Sequence, residues 1–347
     1  MFYKHAFIIF FLPFFVFSAY GTEIEPPLVP QEGEYYMPEE TDNFIDGLWF
    51  IIKTAAEDIS PSIKEASGVC FTMIGIVLLV SIIKDFSKDS KRTVVLAAVV
   101  GIATLLLNAS NSFINLATET VTSLSDYGKL LLPVLATALT MQGNTSSSAA
   151  LYSGSVLFCT VLTTLLTKII VPMIYVYICI AISWAAIGED SLKNIHDFIK
   201  WLASWSMKIV LYIFSGYMGI TKIVTGSVDA SALKATKLTI SSMIPVVGKI
   251  ISESSETVLL SAGIVKNSIG IYGLLAILSL IIGPFIKIGI QYLLFKLTSA
   301  ICDLFGIKQI SGLIGDFSKA MGIALGTIGI LGLMLMISIV CFMMGVL

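Results

Sequence analysis

The chain has 347 residues, of which 56% are apolar and only 13% are charged, and its formal net charge is −2. Its mean hydropathy of +0.93 excludes a soluble globular domain, because water cannot surround so much apolar surface. The sequence has no basic stripe with interleaved aromatic residues, which excludes nucleic acid as a partner. The composition predicts an all-α polytopic membrane protein whose solvent is the lipid bilayer.

Residues 1–21 have the pattern of a secretory signal peptide. Lys4 precedes an apolar run at residues 6–17, and a small-x-small sequence follows at residues 19–21. This order of a positive, an apolar and a small-residue region predicts cleavage near residue 21. The alternative is an uncleaved first span, which the shortness of the apolar run disfavours.

Residues 22–66 form an acidic region, with eleven acidic residues against Lys53 and Lys64. Residues 22–43 also contain four prolines, and this composition predicts an extended, solvated arm. In residues 44–64 apolar side chains recur at helical spacing, which predicts an amphipathic helix on the membrane surface or on a partner. We expect the whole region to be extracytoplasmic, because a signal peptide precedes it.

Residues 67–347 are expected to form a multi-pass membrane domain of six to eight transmembrane or re-entrant helices, with interfacial amphipathic helices. The first two spans are predicted at residues 67–83 and 93–107. Four basic residues lie between them, at residues 84–92, and basic loops stay cytoplasmic. Residues 108–127 contain no Lys or Arg, so we expect them to lie outside.

The rest of the membrane domain has less regular segments. Residues 130–141 are too short for a straight span, so a broken or re-entrant helix is expected there. Residues 149–187 are apolar except near Lys168 and Pro172, which predicts two passes or one long kinked helix. Further spans are predicted at residues 206–224, 269–286, 288–301 and 320–346.

The spacing of prolines indicates an internal repeat. Pro133 and Pro172 are separated by the same number of residues as Pro245 and Pro284. We expect the repeat units at residues 130–226 and 242–346, an arrangement that recurs in transport proteins. The alternative is chance similarity among apolar helices.

Several residues are candidates for a functional or packing role. Lys168 and Lys266 fall in or near apolar segments, where an ionisable group is costly and marks either a polar pathway or a side chain that reaches the interface. Asn267 follows the second of these lysines. Gly322 and Gly326 form a smooth face for close helix packing, within the protein or against another subunit.

A further candidate is the polar stretch at residues 227–257, which reads as two amphipathic segments joined at Pro245 and Gly248. We expect it to be a re-entrant or surface element between spans.

Side chains for catalysis are scarce. The two histidines are His5, within the signal peptide, and His196, which we expect to be an interfacial polar residue. The five cysteines lie in or beside apolar runs without a CxxC motif, so we expect small buried side chains. Gly248-Lys249 lacks the other residues of a phosphate-binding loop. We therefore expect no catalytic residue, no metal, no cofactor and no enzyme activity; an intramembrane enzyme is the least favoured hypothesis.

Several segments together resemble the stage III sporulation protein AE family of multi-pass membrane proteins from endospore-forming bacteria. The resemblance is most specific in the polar stretch and just after it, and it is carried by residues 132–135, 231–235, 244–248, 254–259, 264–270 and 302–306.

The resemblance implies a non-enzymatic subunit of a secretion-like channel complex in the mother-cell membrane around the forespore. The partners it implies are other stage III sporulation membrane proteins, the cytoplasmic ATPase stage III sporulation protein AA, and stage II sporulation protein Q. The alternative from the residues alone is a stand-alone secondary transporter or permease, which the repeat and the broken helices favour.

Overall fold

The computed structural model describes residues 25–38, 43–86, 91–188, 190–243 and 247–344. Helices account for nearly all of these residues, and no strand occurs within the described ranges. The prediction of an all-α protein is therefore confirmed. The signal peptide predicted at residues 1–21 and the predicted turn residue Pro245 lie outside the described residues.

Nine α-helices follow one another along the described chain. A five-residue π-helix, Leu166–Ile170, joins α5 to α6 without a break, so these two helices run on as one rod. The bounds are α1 Gln31–Glu34, α2 Phe44–Glu57, α3 Ile59–Phe86, α4 Lys91–Met141, α5 Thr145–Leu165, α6 Val171–Ile187, α7 Asp190–Met243, α8 Val247–Asp303 and α9 Lys308–Met343.

Five helical segments of the described chain are long and apolar enough to cross a membrane: Phe44–Ile83, Arg92–Met141, Thr145–Ile187, Gly263–Asp303 and Lys308–Met343. Six to eight were expected, and the difference arises because the helices are longer than the hydropathy pattern indicates. Residues 149–187 lie in one continuous helical segment, as one of the two expected alternatives had it, and the spans expected at 269–286 and 288–301 are both parts of α8. The segment 206–224 lies within α7.

Residues 108–127, which were expected outside the membrane, form the middle of α4, and their position relative to the membrane stays a prediction. Residues 130–141 continue α4 rather than forming a broken helix. The reason is a buried apolar stripe at helical spacing, formed by Ile114, Ala117, Val121 and Leu124. Hydropathy averages this stripe with the polar residues on the other side of the helix, so it does not reveal the helix.

The acidic arm is not extended throughout its described part. The short helix α1 packs on α8, where Gly33 lies against Ser279 and Leu280. Tyr36 donates a hydrogen bond to the carboxylate of Asp58, and burial raises the pKa of Tyr36 above its usual range. The expected amphipathic helix is present as α2, which buries Gly47, Ile51 and Ala55.

Helices α8 and α9 form a long antiparallel hairpin at the centre of the bundle. Gly306 has a φ of 71° in the turn between them, a conformation that favours glycine. The Ser299 hydroxyl donates to the Ser311 carbonyl at 2.7 Å. Further along, an added Cβ on Gly332 would lie 2.2 Å from Ile281, so a glycine lets the two helices approach closely. Helices α4, α5, α6 and α7 also pack on α9.

A second close contact joins α5 to α7. The Tyr217 ring fills the space beside Gly154, and its hydroxyl donates to the Ala150 carbonyl at 3.1 Å. An added Cβ on Gly154 would lie 2.1 Å from this ring, which the hydrogen bond holds in place. This contact therefore requires a residue without a side chain.

The substitution Gly154→Ala tests this packing. It is expected to destabilise the protein by about 1–3 kcal/mol, because the new methyl group overpacks the contact with Tyr217. Gly216→Ala is the matched control, since an added Cβ there meets nothing within 4 Å. Thermal unfolding of the detergent-solubilised chain measures both. Equal melting temperatures for the two variants would contradict the contact.

Candidate functional site

A cluster of polar side chains lies where α6, α7 and α9 meet. Lys319 donates to the Asp316 carboxylate at 2.8 Å, and the Tyr177 hydroxyl donates to the same oxygen at 3.4 Å. The His196 ring stacks on Tyr177 with 4.0 Å between ring centroids. The His196 Nδ1 atom lies 3.3 Å from the Asp197 carboxylate. Three helices thus bring one base, two acids, a phenol and an ammonium group together.

The inner part of this cluster is excluded from solvent. His196 and Asp316 are each only 2% exposed. Their facing atoms, His196 Nε2 and Asp316 Oδ2, lie 3.5 Å apart, and neither has a hydrogen-bond partner within the described part of the chain. Buried polar atoms are rarely left in this state, so the pair is poised to take up or share a proton.

The charges of the cluster have clear physical origins. Burial lowers the pKa of His196 below its usual value, and the nearby Asp316 carboxylate acts in the opposite direction. We therefore expect a neutral imidazole at neutral pH. Lys319, which is about half exposed, partly compensates the buried carboxylate of Asp316. The arrangement can hold a proton or an ion pair, and it stabilises the junction of the three helices.

No group of three or more His, Cys, Asp or Glu side chains able to hold a metal ion occurs among the described residues. Among the described side chains, the polar contacts of His196 are with the carboxylates of Asp197 and Asp316, which is not the arrangement of a serine or cysteine nucleophile paired with a base.

The two predicted lysines are not part of this cluster. Lys266 is buried in α8 at 4% exposure, and it has no hydrogen bond or ion pair to any residue that the structure describes. The neighbouring Asn267 is exposed. Lys168 is exposed on the π-helix, a position compatible with a lysine that reaches the interface. Lys266 therefore keeps its place as a functional candidate, because an unpaired buried amine is costly.

The predicted prolines are spread over three helices. Pro133 lies inside α4 and lines a groove with Thr137 and Tyr152, whereas Pro284 lies inside α8 and lines a different groove. Pro172 is exposed at the start of α6. The internal repeat built on these residues stays a prediction.

The predicted glycines have separate surroundings. An added Cβ on Gly322 would lie 3.3 Å from Tyr292 of α8, and one on Gly326 would lie 3.7 Å from Met207 of α7. Both positions therefore face other helices of the same chain. Gly248 lies in the first turn of α8, and Pro245 is not described.

Sequence reasoning missed the cluster. His196 was expected to be an interfacial polar residue, but the structure buries it against Tyr177. A signal was present in Asp316, an acidic residue that lies just before the apolar last span and three positions before Lys319. An ionisable residue at the edge of an apolar span points to a partner on another helix.

Long apolar helices with ionisable side chains buried between them define a polytopic helical membrane protein. The family model described as stage III sporulation protein AE matches residues 41–345, and the chain belongs to this family. A stage III sporulation protein AE of Bacillus subtilis (strain 168) is 23% identical over 238 residues, which are 68% of this chain. The chain spans 60% of the length of that relative, and no solved structure matches.

The family is that of a membrane-associated sporulation component, and it is not a known enzyme family. Sporulation and the membrane are thus the setting in which the buried cluster and the long helices act.

Replacing the buried carboxylate tests the cluster. Asp316→Asn is expected to destabilise the chain by about 1–3 kcal/mol, because Lys319 and His196 lose the charge that faces them. Asp197→Asn is the control in the same cluster, since that side chain is 62% exposed and should change stability by less than about 0.5 kcal/mol. Thermal unfolding in detergent measures both, and an unaffected Asp316→Asn variant would contradict a structural role for the cluster.

Proposed function

We propose that this chain is a non-enzymatic membrane subunit of a secretion-like channel complex that links the mother cell to the forespore. In this role it is required for forespore development after engulfment. The observation that carries the proposal is the family match over residues 41–345 in a chain with five apolar helices long enough to cross a membrane.

The proposed location is the mother-cell membrane that surrounds the forespore, with the mature N-terminus outside the cytoplasm. Two features of the sequence support this orientation. A signal peptide pattern precedes the acidic arm, and the basic residues 84–92 follow the first span.

The proposed partners are other stage III sporulation membrane proteins, stage II sporulation protein Q, and the cytoplasmic ATPase stage III sporulation protein AA. The chain has no complete phosphate-binding motif of its own, which supports an external source of energy. The packing of the arm on α8 gives extracytoplasmic partners an ordered surface rather than a loose tail.

A second candidate function is a stand-alone secondary transporter. Lys266, which is buried and has no partner among the described residues, and the buried pair of His196 and Asp316 favour it, because transporters place such groups on proton and ion pathways. Purified chain in liposomes would then move a solute under a proton gradient, and Lys266→Met would abolish the movement.

Deletion in the host tests the channel role. Loss of the chain is expected to stall the forespore after engulfment, and a plasmid copy of the intact chain should restore spores. A plasmid copy with Gly216→Ala is the matched control for expression, because that substitution meets no neighbouring atom within 4 Å. Normal spore numbers in the deletion strain would end the proposal.

The complex is tested separately by affinity purification of the tagged chain from sporulating cells. The proposed partners should accompany it, and an unrelated tagged membrane protein should not bring them down. Recovery of the chain alone after cross-linking in intact cells would favour the stand-alone transporter.

A further inference from the structure

Helix α4 carries a continuous polar face in its middle. Every exposed residue of α4 between Leu107 and Leu130 is polar, and these residues recur every three or four positions along one side of the helix. They constitute the α4 polar face: Asn108, Asn111, Ser112, Asn115, Glu119, Thr122, Asp126 and Lys129.

Two contacts fix the height of this face in the bundle. The Tyr175 hydroxyl donates to Asn111 at 2.7 Å, and Cys159 Sγ lies 3.8 Å from Ser125 Oγ. Residues 111–125 of α4 therefore run alongside residues 159–175. A helix rises about 1.5 Å per residue, so the layer between the two contacts is about 21 Å thick, which is most of the thickness of a bilayer core. We call this layer the slab.

Other helices present apolar side chains to the outside in this slab. Val161 and Ile169 are about half exposed on the rod formed by α5 and α6, and Phe285 is exposed on α8 just after Pro284. Thr160 and Thr164 are exposed there as well, but their hydroxyls donate to carbonyls of their own helix, which makes them compatible with lipid. Two exposed lysines add charge, Lys168 on the π-helix and Lys287 on α8, each on a long flexible side chain, and Lys287 faces the groove beside Glu119.

Lipid tails cannot cover the α4 polar face at the same height. A charged side chain at the centre of a span costs about 3 kcal/mol, and asparagine amides cannot satisfy themselves as threonine hydroxyls do. Glu119 forms no ion pair within the described residues. The face must therefore meet water or polar groups.

Open grooves run along both sides of Glu119. One, of about 430 Å³, is lined by Ser62, Asn115 and Lys287, with α3 and α8 forming its far wall. The other, of about 340 Å³, is lined by Glu32, Thr118 and Pro284. Both are open to the outside, so this chain does not enclose either space by itself.

The composition of the face favours water over a docked protein. Protein interfaces rely on apolar or aromatic anchors, and the α4 polar face exposes none from residue 108 to residue 129. Asp126 and Lys129 neutralise each other in a 2.8 Å ion pair. Glu119 and Glu32 add two negative charges to the grooves, and Lys287 adds one positive charge. Such a mostly uncharged polar surface suits small polar solutes rather than one class of ion.

We propose that the α4 polar face lines an aqueous passage within the membrane, which this chain closes only together with neighbouring subunits. The inference rests on the channel role proposed above and names the surface that would face the passage. In the same arrangement, lipid tails contact the outward apolar residues of α5, α6 and α8.

Cysteine accessibility tests this assignment in membranes of sporulating cells. Ser112→Cys, Asn115→Cys and Thr122→Cys report on the α4 polar face, and Val161→Cys and Ile169→Cys are the matched controls at the same height. All variants also carry Cys179→Ala, because Cys179 is the exposed cysteine of the described chain. A sulfonated maleimide, which cannot cross lipid, is the probe, and labelling after denaturation in SDS gives the total.

The cysteines on α4 should react at least about tenfold faster than the two controls, because one unit of increase in a thiol pKa in lipid already lowers the reactive thiolate tenfold. Equal protection of both sets would overturn the inference, since lipid or protein would then cover the face. Rapid labelling of both sets would also overturn it, because the slab would then lie outside the membrane.

The labelling and deletion experiments together distinguish failure of this inference from failure of the channel role. Protected α4 cysteines in variants that still restore spores to the deletion strain would refute the passage lining and leave the proposed function intact. Normal spores in the deletion strain itself would refute the function, whatever the labelling pattern.

Discussion

The structure depends on the burial of α9 by protein on nearly all sides. No residue between Ala320 and Gly332 is exposed, and small residues bring neighbouring helices close to it. In lipid there is no hydrophobic force to press helices together, so close packing and polar contacts must hold the bundle. Ser318, which donates to the Tyr292 carbonyl at 2.9 Å, and the cluster around Asp316 are such contacts. With α9 in place, α4, α6, α7 and α8 each have a surface to pack on.

This central packing explains why polar groups occur in two very different environments. The His196–Asp316 pair is enclosed where α6 and α7 meet α9, and there it stabilises the junction itself. The α4 polar face lies on the opposite side of a helix whose apolar stripe is buried in the bundle. One helix thus packs inward through Ile114 and Leu124 and presents Glu119 outward. A membrane subunit that works with others needs both kinds of surface, one to hold its fold and one to serve the shared structure.

The sequence predicted the class of fold because apolar segments and their spacing are local properties. The amphipathic helix at residues 44–57 and the apolar last span followed from them. The lengths of the helices did not follow from the sequence. A hydropathy average scores the exposed residues Asn115 and Glu119 of α4 in the same way as the polar residues of a loop. The polar cluster joins residues that are far apart in the sequence, such as Tyr177 and Asp316 at a separation of 139 positions, and only tertiary packing brings them together. Lys266 was a candidate from the sequence alone because a charge in an apolar segment is itself local information, and its functional role stays a prediction.

Lipid contact measured along the chain tests the central position of α9 most directly. The intact chain in nanodiscs that contain a photoactivatable lipid can be illuminated and its lipid adducts located by peptide mass spectrometry. We expect adducts on exposed residues of α3, such as Phe71 and Leu79, and almost none on α9 between Ala320 and Gly332. Adducts as dense on that part of α9 as on α3 would contradict the arrangement.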